Sequence, residues 1–94
     1  MEAYAQLPEL QKQLEYYLGD TNLSRDQFFY EKIAESADGY LPLEFIEKCN
    51  KIKQLSATRA NILEAVGKSE ELEANEAGDA IRRVGNKALP EFRA

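Results

Sequence analysis

Leu7, Leu10, Leu14 and Leu18 recur at three- and four-residue spacing, which places them on one stripe of a helix with about 3.6 residues per turn. Gly19 predicts the end of that helix. A second helix is expected from Ser24, because Gln27 follows at capping-box spacing and Leu23 and Phe28 are placed for a hydrophobic staple; it runs to about Glu35. Asp38-Gly39 predicts a turn and Tyr40-Leu41 a short strand. Pro42 suits the first position of a third helix, with Leu43, Phe45, Ile46 and Ile52 as its apolar faces and an end near Lys53. Ser56 or Thr58 can cap a fourth helix, buried through Ile62, Leu63 and Val66, with Gly67 at its end. Segments 71–75 and 80–84 then flank Gly78-Asp79 and predict a β-hairpin. Helices followed by a C-terminal hairpin imply an α+β, mostly helical chain arranged as a winged helix, the hairpin being the wing. Residues 1–6 and 85–94 are expected to be irregular.

Ninety-four residues, 44% of them apolar, suit one domain over 1–94. No apolar run approaches the roughly eighteen residues that span a bilayer, and a soluble, intracellular, monomeric chain is expected, with no membrane association. The single cysteine, Cys49, has no disulfide partner, and without histidine a structural zinc site lacks ligands, so neither metal nor cofactor is expected. The absence of histidine also removes the commonest general base, and no carboxylate, lysine or tyrosine pairing replaces it. No catalytic residues are assigned.

The net charge of −5 argues against non-specific polyphosphate binding, but the average hides a segregation. Residues 1–47 carry 3 basic and 10 acidic side chains, 48–59 carry 4 and none, 60–79 carry 1 and 6, and 80–94 carry 4 and 1. Two basic patches therefore stand inside an acidic chain. The segment 13–29 adds a second departure from an ordinary helix surface, with four aromatic rings, Gln13 and two aspartates. On a helical wheel Tyr16 lies roughly 165° from the centre of the leucine stripe, and Gln13, Tyr16 and Tyr17 share one face. Spacing alone leaves these tyrosines open between border residues with wet hydroxyls and a ligand surface. Asp26 is stabilised near a helix N-terminus whatever its function, Asp20 and Asn22 can be turn residues, and Phe28 can be a staple. As a group they suit a nucleic acid: rings stack on bases, glutamine pairs with a base edge, and a carboxylate accepts from ribose hydroxyls while repelling phosphate.

The run QLEYYLGDTNL at 13–23, followed by RDQF at 25–28, resembles the signature of the La motif, in its genuine La rather than La-related form because EYY precedes the GD pair. GYLPL at 39–43, Asn50, Leu55 and IRR at 81–83 agree with the same pattern. The resemblance implies a winged-helix RNA-binding domain that recognises oligouridine with a free 3′-hydroxyl, protects RNA polymerase III transcripts in the nucleus, and is followed by an RNA-recognition motif. By matching positions it assigns Gln13 to a uracil edge, Tyr16, Tyr17 and Phe28 to ring surfaces, and Asp26 to the terminal ribose hydroxyls, with Asn22, Arg25 and Asn50 also in the motif. Two positions depart from the family: Leu18 where phenylalanine is usual, and Cys49 where an aromatic is usual. Loss of a stack at Cys49 costs up to about 1–3 kcal/mol unless another ring, Tyr40 or Phe45, compensates.

Two other readings compete. A winged helix can bind duplex DNA, with Lys48, Lys51, Lys53 and Arg59 on phosphates, and an exposed tyrosine surface can serve as a protein-interaction face.

Overall fold

A computed structural model describes residues 4–93. The first helix, α1 (Leu7–Tyr17), buries Leu10 and Leu14 completely and is followed by buried Leu18. It packs along α6 (Arg59–Lys68), which buries Ile62, Ala65 and Val66. The leucine stripe is therefore the core face of the molecule, each side chain contributing roughly 1.5–3 kcal/mol by leaving water. Thr58 caps α6 in a reciprocal box: its hydroxyl accepts from the Asn61 amide at 3.2 Å while the Asn61 side chain accepts from the Thr58 N–H at 3.0 Å. Of the two expected caps Thr58 is the one used, and α6 continues one residue past Gly67.

Gly19 ends α1, but its extended backbone (ψ 161) lets a four-residue helix, α2 (Asp20–Leu23), begin at once. This changes the next helix. Ser24 is occupied as the end of α2, its N–H bonded to Asp20, so the expected Ser24–Gln27 box does not form. Asp26 instead caps α3 (Gln27–Glu35), accepting the Phe29 N–H at 3.0 Å. The Leu23–Phe28 staple is also absent. Leu23 is buried and Phe28 is 49% exposed, because α3 turns Phe29 and Ile33, four apart, towards the core.

The expected third helix is two short ones, α4 (Leu43–Glu47) and α5 (Asn50–Gln54), separated where Cys49 adopts extended backbone (ψ 136). The break lets both Ile46 and Ile52 reach the core. Pro42 precedes α4 rather than opening it, because it belongs to strand β1 (Leu41–Pro42). The Leu43 N–H, bonded to the Asp79 carbonyl at 2.9 Å, holds the chain against the sheet at that point.

The hairpin consists of β2 (Leu72–Ala74) and β3 (Ala80–Arg83), antiparallel, with Leu72 opposite Arg83 and Ala74 opposite Ile81. β1 pairs with the other edge of β3, Leu41 opposite Ile81, giving a three-stranded sheet in the order β1-β3-β2. This is a winged-helix arrangement of six helices and a small antiparallel sheet among the described residues. A single 3₁₀ turn (Val84–Asn86) follows, and the tail runs back over the helices: the Arg93 N–H reaches the Ser24 carbonyl at 2.6 Å and Phe92 meets the Tyr30 ring at 5.2 Å. Of the terminal residues expected to be irregular, 1–3 and 94 lie outside the described residues.

The β1 approach depends on Gly39, which has φ +79 and whose missing Cβ would stand 2.0 Å from Asn86 Oδ1. Gly39→Ala is expected to lower stability by roughly 1–2 kcal/mol, read as a shifted urea midpoint at unchanged slope. An unchanged midpoint would show that Asn86 gives way without cost.

Candidate functional site

The end of α1 and the start of α3 meet around the Tyr17 phenol. Gln13, Asp26 and Cys49 all lie near its hydroxyl, and burial, followed by the Cys49 thiol, pushes its pKa up to about 12. The Asp26 carboxylate adds to the rise, whereas hydrogen bonding to Gln13 opposes it. Burial also raises the Cys49 thiol, which makes it a poor nucleophile and fits a small packing residue donating to the Phe45 carbonyl at 3.5 Å. Because the folded pKa of Tyr17 exceeds that of an unfolded tyrosine, its contribution to stability is complete below about pH 10 and is lost as pH rises towards 12. Spectrophotometric titration should show a tyrosinate appearing near the top of this window and missing in Tyr17→Phe; identical titrations would contradict the packed phenol.

From Tyr17 a run of rings extends both ways. Tyr16, 51% exposed, lies 6.3 Å from Tyr17; Tyr17 meets buried Phe29 edge-on at 5.8 Å; Phe29 meets Phe28 at 6.0 Å; and Phe28 meets Phe45 edge-on at 5.2 Å. Each such pair contributes roughly 0.5–1.5 kcal/mol beyond burial, so the exposed rings are held in place rather than hanging free. Of the eight residues singled out from the sequence, Tyr16, Tyr17 and Phe28 come together in one run of rings with Tyr16 and Phe28 facing solvent, while Asp26 caps the helix that carries Phe28 and Gln13 lies half-buried one turn before Tyr17 on α1. Asn22 has a supporting place, its amide donating to the Tyr17 carbonyl at 3.0 Å and tying α2 to the end of α1. Arg25 and Asn50 are exposed, and neither side chain joins this network.

Three members were not assigned from the sequence. Phe45 supplies a ring one helical turn before Cys49, and the Lys32 and Lys48 ammoniums sit 5.6 and 5.9 Å from its centroid. Phe45 is one of the two rings that the sequence offers as a substitute for an aromatic at Cys49. The other, Tyr40, stands apart, under the Arg82 guanidinium at 4.3 Å. Lys32 lies in the acidic part of the chain, where the segregation of charge along the sequence does not single it out.

The basic patches divide differently in space. In the second, Arg82 pairs with Glu73 at 2.6 Å and Arg83 with Asp20 at 2.7 Å, Lys87 sharing Asp20 at 3.9 Å, so two carboxylates offset half of its four positive charges. In the first, Arg59 bonds Glu47 and holds that carboxyl below its usual range, while Lys48, Lys51 and Lys53 make no ion pair among the described residues. A cleft of about 510 Å³ opens on the other side of Tyr16, between α1 and the wing. Its lining sets four carboxylates, Glu15, Asp20, Glu70 and Glu71, against Arg83 and Lys87, a balance that favours it less for phosphate than the lysine-flanked rings. Among the described residues no three histidine, cysteine or carboxylate side chains gather to hold a metal ion.

Comparison with known proteins places this geometry. The family model "La domain" matches residues 10–68. Lupus La protein homolog A of Xenopus laevis is 45% identical over 83 residues, 86% of this chain and 19% of that protein. The La protein homolog of Drosophila melanogaster is 38% identical over 82 residues, 85% of this chain and 21% of its own. The chain thus spans about a fifth of the length of these relatives. A solved structure of a La autoantigen N-terminal domain superposes with a TM-score of 0.84 at 33% identity, covering 96% of this chain and 97% of that one. The winged-helix frame is thus shared with solved La structures, and this chain belongs to the La domain family, as a La motif close to those of the La proteins.

Proposed function

We propose that the face built from Gln13, Tyr16, Tyr17, Asp26 and Phe28 receives an oligouridine ending in a free 3′-hydroxyl. Family membership carries the coarser statement: a La domain binds RNA and is not an enzyme. The observation that supports the finer one is the run of rings in which exposed Tyr16 and Phe28 flank Tyr17 and Phe29, with the Asp26 carboxylate capping the helix that carries Phe28. A surface made for backbone phosphate would carry a cation there. A carboxylate instead accepts from vicinal ribose hydroxyls and repels a terminal phosphate, while the rings stack on bases and the glutamine amide pairs with a uracil edge. In the longer protein this activity suits protection of RNA polymerase III transcripts in the nucleus, by a monomer in which an RNA-recognition motif follows the domain.

Gln13→Ala and Tyr16→Ala test the reading. Each is expected to weaken oligouridine binding roughly five- to hundred-fold with an unchanged urea midpoint, as loss of one stack or base contact requires. Binding of duplex DNA, steeply salt-dependent and indifferent to both changes, would favour the competing use of Lys48, Lys51 and Lys53 on duplex phosphates.

A further inference from the structure

The ring run does not stop at the residues assigned to the RNA end. Phe28 continues edge-on into half-buried Phe45 at 5.2 Å, and Lys32 places its ammonium 5.6 Å from both ring centroids. Lys48 approaches Phe45 from its own helix end at 5.9 Å. The only carboxylate that pairs with either lysine among the described residues is Glu35, 3.8 Å from Lys32 and itself largely exposed, a weak partner in water. The surface is therefore charged asymmetrically, with the Asp26 carboxylate at the N-terminus of α3 and two ammoniums around Phe45.

We propose that Phe45, Lys32 and Lys48 form a second nucleotide subsite, which takes the bases and phosphates lying 5′ of the terminal nucleotides and so sets the strand's direction across the domain. The proposal rests on the reading of the RNA end above. A single-stranded nucleic acid with an unblocked 3′ end is itself asymmetric, since its last sugar bears hydroxyls and no terminal phosphate while every upstream linkage bears a negative charge. Placing the hydroxyls at Asp26 puts the upstream phosphates beside the lysines; the reverse direction puts phosphates at the carboxylate. In the free protein Lys32 lies over Phe28 and Phe45, a contact weak enough at an exposed site for an arriving base to displace. Its flexible stem then frees the ammonium for phosphate.

Two oligomers with free 3′-hydroxyls separate this subsite from the end site: UpU, which reaches only the end site, and a longer oligouridine, which reaches both. Phe45→Leu keeps an apolar side chain against the core and is expected to lose roughly five- to hundred-fold in affinity for the long oligomer, with UpU binding changed by less than about twofold. Lys32→Gln combined with Lys48→Gln removes two phosphate contacts and should lower the slope of log K against log salt by about 1.4 for the long oligomer, a readout that altered packing does not move. Because both lysines sit at the surface, this second variant remains informative if Phe45→Leu folds poorly. Preference for hydroxyl over phosphate at the 3′ end should survive in both variants. Equal losses for UpU and the long oligomer, or an unchanged salt slope, would overturn the subsite while leaving the end site standing; failure of the unsubstituted protein to bind oligouridine at all would overturn both.

Discussion

Oligouridine with a 3′-hydroxyl is expected to bind about ten- to hundred-fold tighter than the same oligomer with a 3′-phosphate, a difference set by one hydrogen-bonded charge at roughly 1.5–3 kcal/mol. Asp26 carries this prediction, and its double duty makes the test specific. One carboxylate oxygen already caps α3 through the Phe29 N–H. Asp26→Asn keeps an oxygen for that bond, and asparagine caps about as well as aspartate, so stability should hold. The negative charge is gone, however, and with it the repulsion of a terminal phosphate, so the preference should shrink several-fold. Asp26→Ala removes cap and charge together and should also cost about 1 kcal/mol of stability. Equal binding of the two oligomers by the unsubstituted protein would take Asp26 out of the site and leave it only as a cap.

Arg83→Ala is expected to lower unfolding stability by about 2–3 kcal/mol, the scale of losing charged hydrogen bonds in a buried setting. Arg83 is 7% exposed and joins three parts of the fold: Asp20 at 2.7 Å, the Leu18 carbonyl at 3.5 Å and the Ala88 carbonyl at 3.2 Å. It thereby fixes the wing and the tail to the junction of α1 and α2. Since Asn22 ties α2 to the Tyr17 carbonyl, loosening that junction should weaken oligouridine binding as well, although Arg83 is not among the rings or acceptors of the site. Asp20 is more than half exposed, so Asp20→Ala should cost less. A denaturant midpoint for Arg83→Ala within about 0.5 kcal/mol of the parent would mean that the pair acts like an ordinary surface salt bridge.

Phe28 shows where local reasoning stops. Leu23 and Phe28 have staple spacing if the helix starts at Ser24, and a staple is a sufficient reason for an aromatic there. The start moves to Asp26 because Gly19 lets α2 form first, and Phe28 then turns outward to meet Phe45, seventeen positions away in the chain. The broken third helix has the same origin. Its apolar positions read as one face, yet Ile46 and Ile52 reach the core only when the backbone opens at Cys49. Charge shows it too: the basic count in 80–94 is correct, but Arg82 and Arg83 spend their charge on Glu73 and Asp20.

The sequence by itself determined what depends on neighbours a few positions apart: the leucine stripe of α1, a cap for α6 at Ser56 or Thr58, the Gly78 turn of the wing and the outward face of Tyr16, all set by helical period, cap chemistry and turn residues. The QLEYYLGDTNL signature added the family, because it is a pattern of types and not of contacts. Only the tertiary structure decided that Asp26 and not Ser24 caps α3, that β1 completes the sheet, that Arg83 is buried and paired, and that Phe45 and two lysines extend the ring surface. Each of these brings together groups far apart in the chain, whose meeting follows from how the core closes and leaves no trace in local spacing.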